Sequence, residues 1–275
     1  MTLTIDHALF AWPDHEEVLA ACEAVGLDPT FGGVHDGGET QNALVAFPDG
    51  SYLELMTPTD PGTEPDRWAG VVDHWRGPEN WCVRTGVRDL LSRTIAAGAP
   101  VDGPHPGRRE RPDGTRVEWV TGQYGPPELR GVLPFAITDR TPHGFRVPDA
   151  AVTDGPLTGV AEVLLGVESL SGPTEWFRRL HDFPTPVDVA TPLSADVTTV
   201  PGQPVSFAEP DAGSTPARRL EETEQQPLAF LLSTDDFDAA ADRFALTDAG
   251  EWADRRVAWF AADPFRASVG VLEVP

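Results

Sequence analysis

The feature that most constrains the fold is a short pattern, a strand followed directly by a helix, that recurs four times along the chain. The four copies begin near Thr2, Asn80, Thr158 and Pro227. Internal repetition of this kind is typical of a fold assembled from copies of one supersecondary unit. The two halves of the chain also correspond, since IDHALFAWPD aligns with VAEVLLGVES and SYLELMTP with VGVLEVP. A duplicated pair of modules is therefore predicted.

The first copy shows the complete unit. Thr2–Trp12 alternates as a strand, and a helix then begins after Asp14 and ends at Gly26. Extended runs follow, among them Gln41–Phe47 and Ser51–Thr57. The PDG sequence between these two runs predicts a turn, because proline presets one dihedral angle and glycine permits a positive one.

The later copies are less regular. In the second, the NWCVRTGV strand precedes a helix over Arg88–Ala97, and strands are expected near Thr115–Thr121 and Val132–Thr138. In the third, Pro184–Pro216 is predicted to hold a long loop. The fourth ends in strands near Arg255–Ala261 and Ala267–Val274. The predicted fold class is α+β, with four βαβββ modules paired into two incompletely closed barrels with clefts. One half spans residues 1–142, with modules at about 2–58 and 80–138; a linker spans 143–157, and a more divergent half spans 158–275.

The charge of the chain excludes several kinds of partner. Asp and Glu total 44 against 20 basic residues, all of them Arg, and the formal net charge is -24. Such a surface repels phosphate backbones and anionic lipids, so neither nucleic acid nor a membrane is expected as a partner. The acidic residues are spread along the whole chain, which favours a halophilic source over an acidic catalytic surface. The apolar runs are short and no signal peptide is recognised, so the predicted location is the cytoplasm.

Two segments carry a family resemblance. IDHALFAWPD, followed by GGVHDGGETQNALVAFPDGSYLELMTP, resembles the glyoxalase-like domain of the vicinal-oxygen-chelate superfamily, which also includes bleomycin-resistance proteins and extradiol dioxygenases. The resemblance extends through WCVRTG and LPFAIT and weakens after Thr158. It implies that paired modules surround a ligand cleft. It also implies that a divalent metal, where one is used, is held by the first and last strands of each module.

His7 and Glu54 match the ligand positions of this superfamily in the first module. Strict alternation puts His7 on the same face of its strand as Ile5 and Leu9, and a carboxylate on an apolar face needs a partner. An imidazole and a carboxylate on facing strands suit a divalent cation and leave positions open for a substrate. The alternative is that His7 is a core histidine bonded to the backbone and that Glu54 pairs with an arginine.

The matching positions in the other modules are less complete. The residue that corresponds to His7 is Cys82 in the second module and Glu162 in the third. The residue that corresponds to Glu54 lies near Phe135 in the second module and is Glu273 in the fourth. Cys82, Glu162 and Glu273 are therefore weaker metal candidates, and none of these sets reproduces the full ligand pattern of the superfamily.

Other polar residues are candidates for substrate binding. His35, Thr40 and Asn42 lie around a glycine-rich bend, and Tyr52 shares a strand face with Glu54. Alternatively the bend is an ordinary hairpin turn in which Asn42 satisfies the backbone. His143, in the connection between the halves, is a further candidate, with a solvated loop histidine as the alternative.

One concentrated basic patch stands out in this acidic chain. Arg108, Arg109 and Arg111 lie in the sequence GPHPGRRERPDG. Such a patch could attract a carboxylate-bearing substrate. The interpretation favoured from the sequence is a surface hairpin tip whose arginines neutralise neighbouring acids.

The sequence therefore predicts a glyoxalase-like enzyme of the lyase, isomerase or dioxygenase type that acts on a small oxygenated metabolite. One divalent metal ion is the expected cofactor, with no other implied. The alternative is a metal-free protein of the same fold that binds or sequesters a small molecule, and a third option is a vestigial cleft in an assembly protein. No acid–base catalyst is assigned, and a homodimer is a candidate assembly.

Overall fold

The computed structural model of the chain describes residues 2–35, 37–60, 77–111 and 113–275. The strands of the first half are β1 Ile5–Ala11, β2 Thr30–His35, β3 Thr40–Ala46, β4 Tyr52–Pro58, β5 Gly77–Arg84, β6 Val101–Glu110, β7 Arg116–Tyr124 and β8 Phe135–Asp139. Those of the second half are β9 Leu157–Gly166, β10 Val187–Asp188, β11 Ala195–Thr199, β12 Val205–Pro210, β13 Gln226–Thr234, β14 Gly250–Trp252, β15 Arg255–Trp259 and β16 Val269–Glu273. The helices are α1 His15–Val25, α2 Val87–Ala96, α3 His143–Arg146, α4 Ser171–His181, α5 Thr215–Thr223 and α6 Phe237–Arg243. No helix in the described part of the chain is long and apolar enough to cross a membrane.

The two halves share one pairing order but differ in closure. The first eight strands form a closed barrel in the order β1-β4-β3-β2-β6-β7-β8-β5, and the second eight form a sheet in the order β10-β11-β12-β9-β13-β16-β15-β14. The predicted α+β fold of repeated, paired modules is confirmed. The first barrel is closed rather than incompletely closed, because β2 pairs with β6 through Val34–Glu110 and His35–Arg109. The outer strands of the second sheet, β10 and β14, are short and remain unpaired with each other.

Local signals in the first module form the structure they predict. The Asp14 side chain accepts a hydrogen bond from the backbone N–H of Glu17 and begins α1, and Gly26 ends it in the left-handed region with φ of 88°. The N–H of Gly50 bonds to the carbonyl of Phe47, which closes the predicted turn between β3 and β4. Helix and turn therefore bring β1 and β4 together as parallel neighbours.

Two segments contain more strand than the sequence predicts. The arginine-rich segment, predicted as a surface hairpin tip, lies largely in the long strand β6, which pairs with β7 along most of its length. Arg109 is buried there, so the surface interpretation is wrong for this residue. The predicted loop over Pro184–Pro216 contains β10, β11 and β12, and α5 begins at its end. The sequence does not predict these strands, because both regions contain prolines and glycines, which are depleted in strand interiors.

One apolar core joins the two halves. The ring of Phe10 lies 5.1 Å from that of Phe265, and the ring of Trp81 is stacked 6.3 Å from that of Phe177. These pairs link β1 and β5 of the barrel to the second half, and all four side chains are fully buried. Residues 143–157, which were predicted as a linker, contain α3. The division of the chain into domains at this segment stays a prediction.

Candidate functional site

The interior of the closed barrel holds a row of side chains from neighbouring strands. His7 on β1 is the register partner of Tyr52 on β4 and of Cys82 on β5, and Cys82 pairs in turn with Phe135 on β8. Residues in one row of a sheet point to the same face. The ring of His7 is accordingly stacked 4.8 Å from Tyr52 and meets the edge of Phe135 at 5.3 Å.

A break in strand alternation aims His7 inward. The pairing of β1 with β5 shifts register between Ile5 and His7. Ile5 consequently joins the outer apolar core with Ala8 and Phe10, whereas Leu9 packs with the inner cluster. The prediction that Ile5 and His7 share a face was therefore wrong, because strict alternation does not survive a bulge.

Glu54 is the centre of a compact polar cluster on this interior face. Its Oε2 lies 3.3 Å from Nε2 of His7, and its Oε1 lies 3.5 Å from Nε2 of His35. Asn42 donates a hydrogen bond of 2.6 Å to the same Oε1. Thr40 supports the cluster from behind, since its hydroxyl lies 2.8 Å from Nδ1 of His35. Three predicted site residues thus contact one carboxylate, and a fourth, Thr40, contacts His35.

The environment keeps Glu54 ionised. Only 6% of this residue is exposed, and such burial alone would raise the pKa of its carboxyl group. The hydrogen bond to His35 and the charges of His7 and His35 outweigh burial and lower the pKa to about 2. A buried carboxylate that stays charged is suited to binding a cation or an N–H donor.

Asp6 lies directly behind His7 and is completely buried. Its Oδ1 is 2.7 Å from Nδ1 of His7. Arg146 donates to both carboxylate oxygens, at 2.7 and 2.8 Å, and Arg84 donates to Oδ2 at 2.9 Å. Asp6 is therefore charge-compensated, and its contact with Nδ1 leaves Nε2 of His7 directed towards Glu54.

Helix α3 places Arg146 in the barrel. Besides Asp6, this guanidinium bonds to Asp139 through Nε at 2.7 Å and Nη2 at 3.0 Å, and Nη1 donates to the hydroxyl of Tyr52 at 2.8 Å. Only 3% of Arg146 is exposed. Tyr52 remains a neutral phenol, because burial raises its pKa well above the usual value.

Arg109 on β6 reaches the other side of Glu54. Its Nη1 donates to Oδ1 of Asn42 at 3.0 Å, and its Nη2 donates to the backbone carbonyl of Arg146 at 2.7 Å. Asn42 therefore stands between a buried guanidinium and a buried carboxylate, with its amide nitrogen on Glu54 and its oxygen on Arg109. Burial lowers the pKa of Arg109 from its usual value.

Glu79 is a second acid near the cluster. It is the extra residue in a bulge of β5, between Pro78 and Asn80, which pair with successive residues of β1. Its Oε2 is buried and has no hydrogen-bond partner in the described part of the structure. Burial, with a smaller effect from the charge of Glu54, raises the pKa of Glu79 to about 7. Glu79 can thus exchange a proton near neutral pH.

Among the described residues, two sets of three side chains are close enough to bind a metal ion. One comprises Asp6, His7 and Cys82, and the other comprises Asp6, Asp139 and His143; in each, the ligand atoms lie within 4.8 Å of one another. Asp6 belongs to both sets, yet its oxygens are already held by two arginines. Burial also raises the pKa of the Cys82 thiol well above its usual value, which opposes the thiolate that a metal requires. Within the described part of the chain, no arginine contacts His7 or Glu54 directly.

His143, predicted to bind substrate, lies away from this pair. Its Nδ1 is 3.0 Å from Asp139, and its Nε2 is 3.0 Å from the carbonyl oxygen of Gly50. Protein groups therefore occupy both ring nitrogens.

The second half does not bring its two candidate acids together. Glu162 on β9 accepts hydrogen bonds from Ser206, from the Trp252 indole at 2.8 Å and from Arg255 at 2.9 Å. Glu273 on β16 is bound by Arg256 at 2.7 and 3.0 Å. On the intervening strand β13, their register partners are three residues apart. Each carboxylate is satisfied by its own arginine.

Sequence reasoning did not find Asp6, Glu79 or Arg146. The position of Asp6 beside His7 was a usable signal, because metal-binding histidines commonly bond a carboxylate through the second ring nitrogen. Glu79 becomes a site residue through a bulge that the sequence does not mark. Arg146 is separated from Asp6 by 140 positions and lies in a polar connection, so nothing local predicted its burial.

Comparisons with known proteins agree with this architecture. A family model described as a glyoxalase-like domain matches residues 5–181, more than half of the chain. The chain therefore belongs to the glyoxalase-like domain family, and the resemblance to the vicinal-oxygen-chelate superfamily, which has enzyme members, is confirmed. No functionally curated protein matches the sequence significantly.

Solved structures share the fold at low sequence identity. A hypothetical protein from Staphylococcus aureus is 13% identical with a TM-score of 0.64, and 99% of each chain is covered. A mutant of 4-hydroxymandelate synthase from Streptomyces coelicolor is 15% identical with a TM-score of 0.62, covering 99% of this chain and 92% of that one. The Mn(II)-bound glyoxalase from Novosphingobium aromaticivorans is 11% identical with a TM-score of 0.57, covering 98% and 81%. At these identities the likeness concerns the fold alone.

Proposed function

We propose that this protein is a glyoxalase-like enzyme of the lyase, isomerase or dioxygenase type, which acts on a small oxygenated metabolite with a divalent metal held by His7 and Glu54. The observation that carries the proposal is the distance of 3.3 Å between Nε2 of His7 and Oε2 of Glu54. Two ligand atoms that share one ion, each about 2.1 Å from it, are separated by roughly 3.0 to 3.4 Å at octahedral or tetrahedral angles.

The chemistry of the donor set supports the same proposal. His35 supplies a second imidazole on the other oxygen of Glu54. One imidazole and one carboxylate suit borderline divalent ions and leave coordination positions open, and His35 would have to move towards His7 to become a third ligand. The contact of Asp6 with Nδ1 of His7 is the outer-shell carboxylate contact that orients ligating histidines. Cys82 remains a weaker candidate on the opposite side of His7.

The remaining residues supply positioning and proton chemistry. A bound divalent ion would polarise adjacent oxygen atoms of the substrate as a Lewis acid. Asn42 and His35 are placed to orient a polar group of the substrate beside Glu54. Tyr52 and Phe135 form apolar walls around His7. Glu79 is the proposed group that accepts or returns a proton, since its pKa lies near neutrality and one of its oxygens has no partner.

Titration of metal-free protein with Mn²⁺ tests the proposal. We expect saturable binding in the wild type and a loss of affinity of at least about tenfold in His7→Ala and Glu54→Gln. His105→Ala and Glu175→Gln are matched controls, because both residues lie on the surface. Equal Mn²⁺ affinity in all five proteins, or none in the wild type, would contradict a metal role for this pair.

A metal-free binding protein is the second candidate. Phe135 supports it, because this residue stands at the last-strand position of the second module and its ring touches His7. If this candidate is correct, small oxygenated ligands raise the melting temperature of chelator-treated protein and Mn²⁺ leaves it unchanged. A protein that responds to neither would fit a vestigial cleft.

The proposal also covers location and assembly. The acidic surface is compatible with a cytoplasmic protein and a small-molecule ligand, without nucleic acid or membrane partners. A homodimer is the assembly we propose. Light scattering coupled to size-exclusion chromatography, and fractionation of cells, test these two points directly.

A further inference from the structure

Arg109 is a buried cation without an anionic partner. Only 5% of the residue is exposed, and its hydrogen bonds go to the side-chain oxygen of Asn42 and the backbone carbonyl of Arg146. Among the residues that the structure describes, no carboxylate oxygen lies within 4.0 Å of its guanidinium. Arg146, by contrast, is paired with both Asp6 and Asp139. Burying an unpaired charge is costly, so the missing anion needs an explanation.

Glu54 does not supply this anion. Asn42 lies between the two groups, and the carboxylate already faces two imidazoles. If a metal occupies the His7–Glu54 pair, its charge offsets that of Glu54 still further. Arg109 then remains an uncompensated positive charge beside the metal position, an inference that rests on the proposed function.

Arg109 also faces open space. It lines two adjoining cavities, of about 210 and 300 Å³, along the seam where β2 meets β6. The larger cavity is also lined by His35, Arg108 and Arg116, with Glu110 as its one acidic lining residue among those described. The smaller cavity is also lined by Arg111, which is paired with Asp113 at 3.2 Å. The seam is therefore a cationic entrance in a chain of net charge -24.

We propose that the barrel binds a small carboxylate-bearing substrate whose carboxylate pairs with Arg109, while its neighbouring oxygen atoms face His7 and Glu54. The guanidinium fork matches the two oxygens of a carboxylate. Only the side-chain amide of Asn42 separates Arg109 from Glu54. A single small molecule can therefore place its carboxylate on Arg109 and its reacting oxygen atoms beside Glu54. The other arginines of the entrance attract the anion; Arg111 is paired with Asp113 and Arg116 with Glu118.

Gly32 provides independent support for this arrangement. A Cβ atom added at this residue would collide with Oδ1 of Asn42 and Nη1 of Arg109. The absence of a side chain at Gly32 on β2 therefore allows the guanidinium of Arg109 to reach the centre of the barrel.

Salicylate and its neutral amide, salicylamide, test the proposal as a matched pair of probes. Both carry a phenolic hydroxyl group beside a carbonyl-bearing group on one aromatic ring, and only salicylate is an anion at pH 7. We expect isothermal titration of the wild type to show at least roughly tenfold tighter binding of salicylate. In Arg109→Gln this preference should disappear, and in Arg266→Gln, which changes an exposed arginine of the other half, it should persist. Inorganic phosphate is included to show whether any anion suffices.

The outcomes separate this proposal from the metal proposal. Equal binding of the two probes by the wild type, or an unchanged preference in Arg109→Gln, overturns the role of Arg109. Stronger binding of phosphate than of salicylate overturns the carboxylate assignment. If Arg109→Gln does not fold, the wild-type comparison and Arg109→Lys, which keeps the charge but loses the fork, decide the question. Mn²⁺ titration of Arg109→Gln should match the wild type, whereas His7→Ala should lose Mn²⁺ and retain the preference for salicylate in chelator.

Discussion

Oδ1 of Asp6 lies 2.7 Å from Nδ1 of His7, although the two residues are consecutive on one strand. Consecutive side chains of a regular strand point to opposite faces, and the bulge of β1 removes that restriction here. The contact fixes the ring of His7 so that Nε2 faces Glu54.

Asp6→Asn is expected to weaken Mn²⁺ binding by about 10- to 100-fold, because the uncharged amide orients the imidazole less firmly and lowers its basicity. Asp139→Asn is the control. It also removes a carboxylate from Arg146 but does not touch His7. If both variants lose Mn²⁺ affinity equally, the effect comes from Arg146 and not from the orientation of His7.

Arg146 is expected to dominate the stability of the barrel interior. Arg146→Met leaves the buried Asp6 and the half-buried Asp139 without their main cation, which typically costs about 3 to 5 kcal/mol. The free energy of unfolding in urea, measured at pH 7, tests this value. Arg178→Met, which removes an exposed arginine paired with Glu175, should change it by less than about 1 kcal/mol.

The cost of Arg146→Met should also depend on pH. In the wild type, the pKa of Asp139 is lowered to about 2 and that of Asp6 lies well below its usual value, because hydrogen bonds to His143, His7 and Arg146 outweigh burial. The stability from these depressed pKa values is present above about pH 4 and is lost as the pH falls towards 2. The variant should therefore approach the wild type at low pH. A difference that stays constant from pH 7 to pH 3 would contradict this electrostatic account.

Glu79 is expected to make folding less favourable as the pH rises. Burial raises its pKa to about 7 from 4.5, so the folded chain holds a proton that the unfolded chain releases between these values. Glu79→Gln should therefore stabilise metal-free protein by about 1 to 3 kcal/mol at pH 8 and by little at pH 4. Thermal unfolding across this pH range measures the difference. Glu175→Gln, at an exposed site, should show no such trend.

The sequence predicts most of the first module because its signals are local. The cap at Asp14, the stop at Gly26 and the PDG turn act within a few residues, and they position β1 beside β4. The sequence accordingly predicts His7 on the first strand and Glu54 on the last strand of the first module. The sequence does not predict the register between these two strands. In the structure Glu54 is the register partner of Leu9 and lies diagonally across from His7.

The rest of the site depends on long-range relations that no local pattern reveals. β6 has no clear strand pattern in the sequence because it contains two prolines and two glycines. It nevertheless forms part of the barrel wall and carries Arg109. Arginines in polar segments are ordinarily solvated, so the burial of Arg109 and Arg146 depends on partners more than 60 positions away. The bulges beside His7 and Glu79 shift one residue each, and a shift of one residue reverses which side chains face the barrel.

Gly32→Ala is expected to separate Arg109 from Asn42, because the added methyl group needs the space that their contact occupies. The salicylate preference should fall in this variant, while Mn²⁺ binding through His7 and Glu54 stays close to that of the wild type. Titration calorimetry with both probes measures the two effects. Gly172→Ala is the control, since an added Cβ there meets no atom within 4 Å. Unchanged salicylate binding in Gly32→Ala would argue against Arg109 as the anchor.

The net charge of -24 predicts that salt stabilises the protein. Like charges on the surface repel one another, and raising the salt concentration from about 0.1 M to 1 M shortens the screening length from roughly 10 to 3 Å. Helix α5 concentrates this repulsion, because Glu221 and Glu222 lie in its last turn, where the helix dipole disfavours negative charge. Differential scanning calorimetry should therefore show a melting temperature that rises with KCl. The double variant Glu221→Gln, Glu222→Gln should melt higher than the wild type at low salt and gain less from added salt. A melting temperature that is independent of KCl would exclude a halophilic adaptation, and an equal salt response in the variant would show that the repulsion lies elsewhere on the surface.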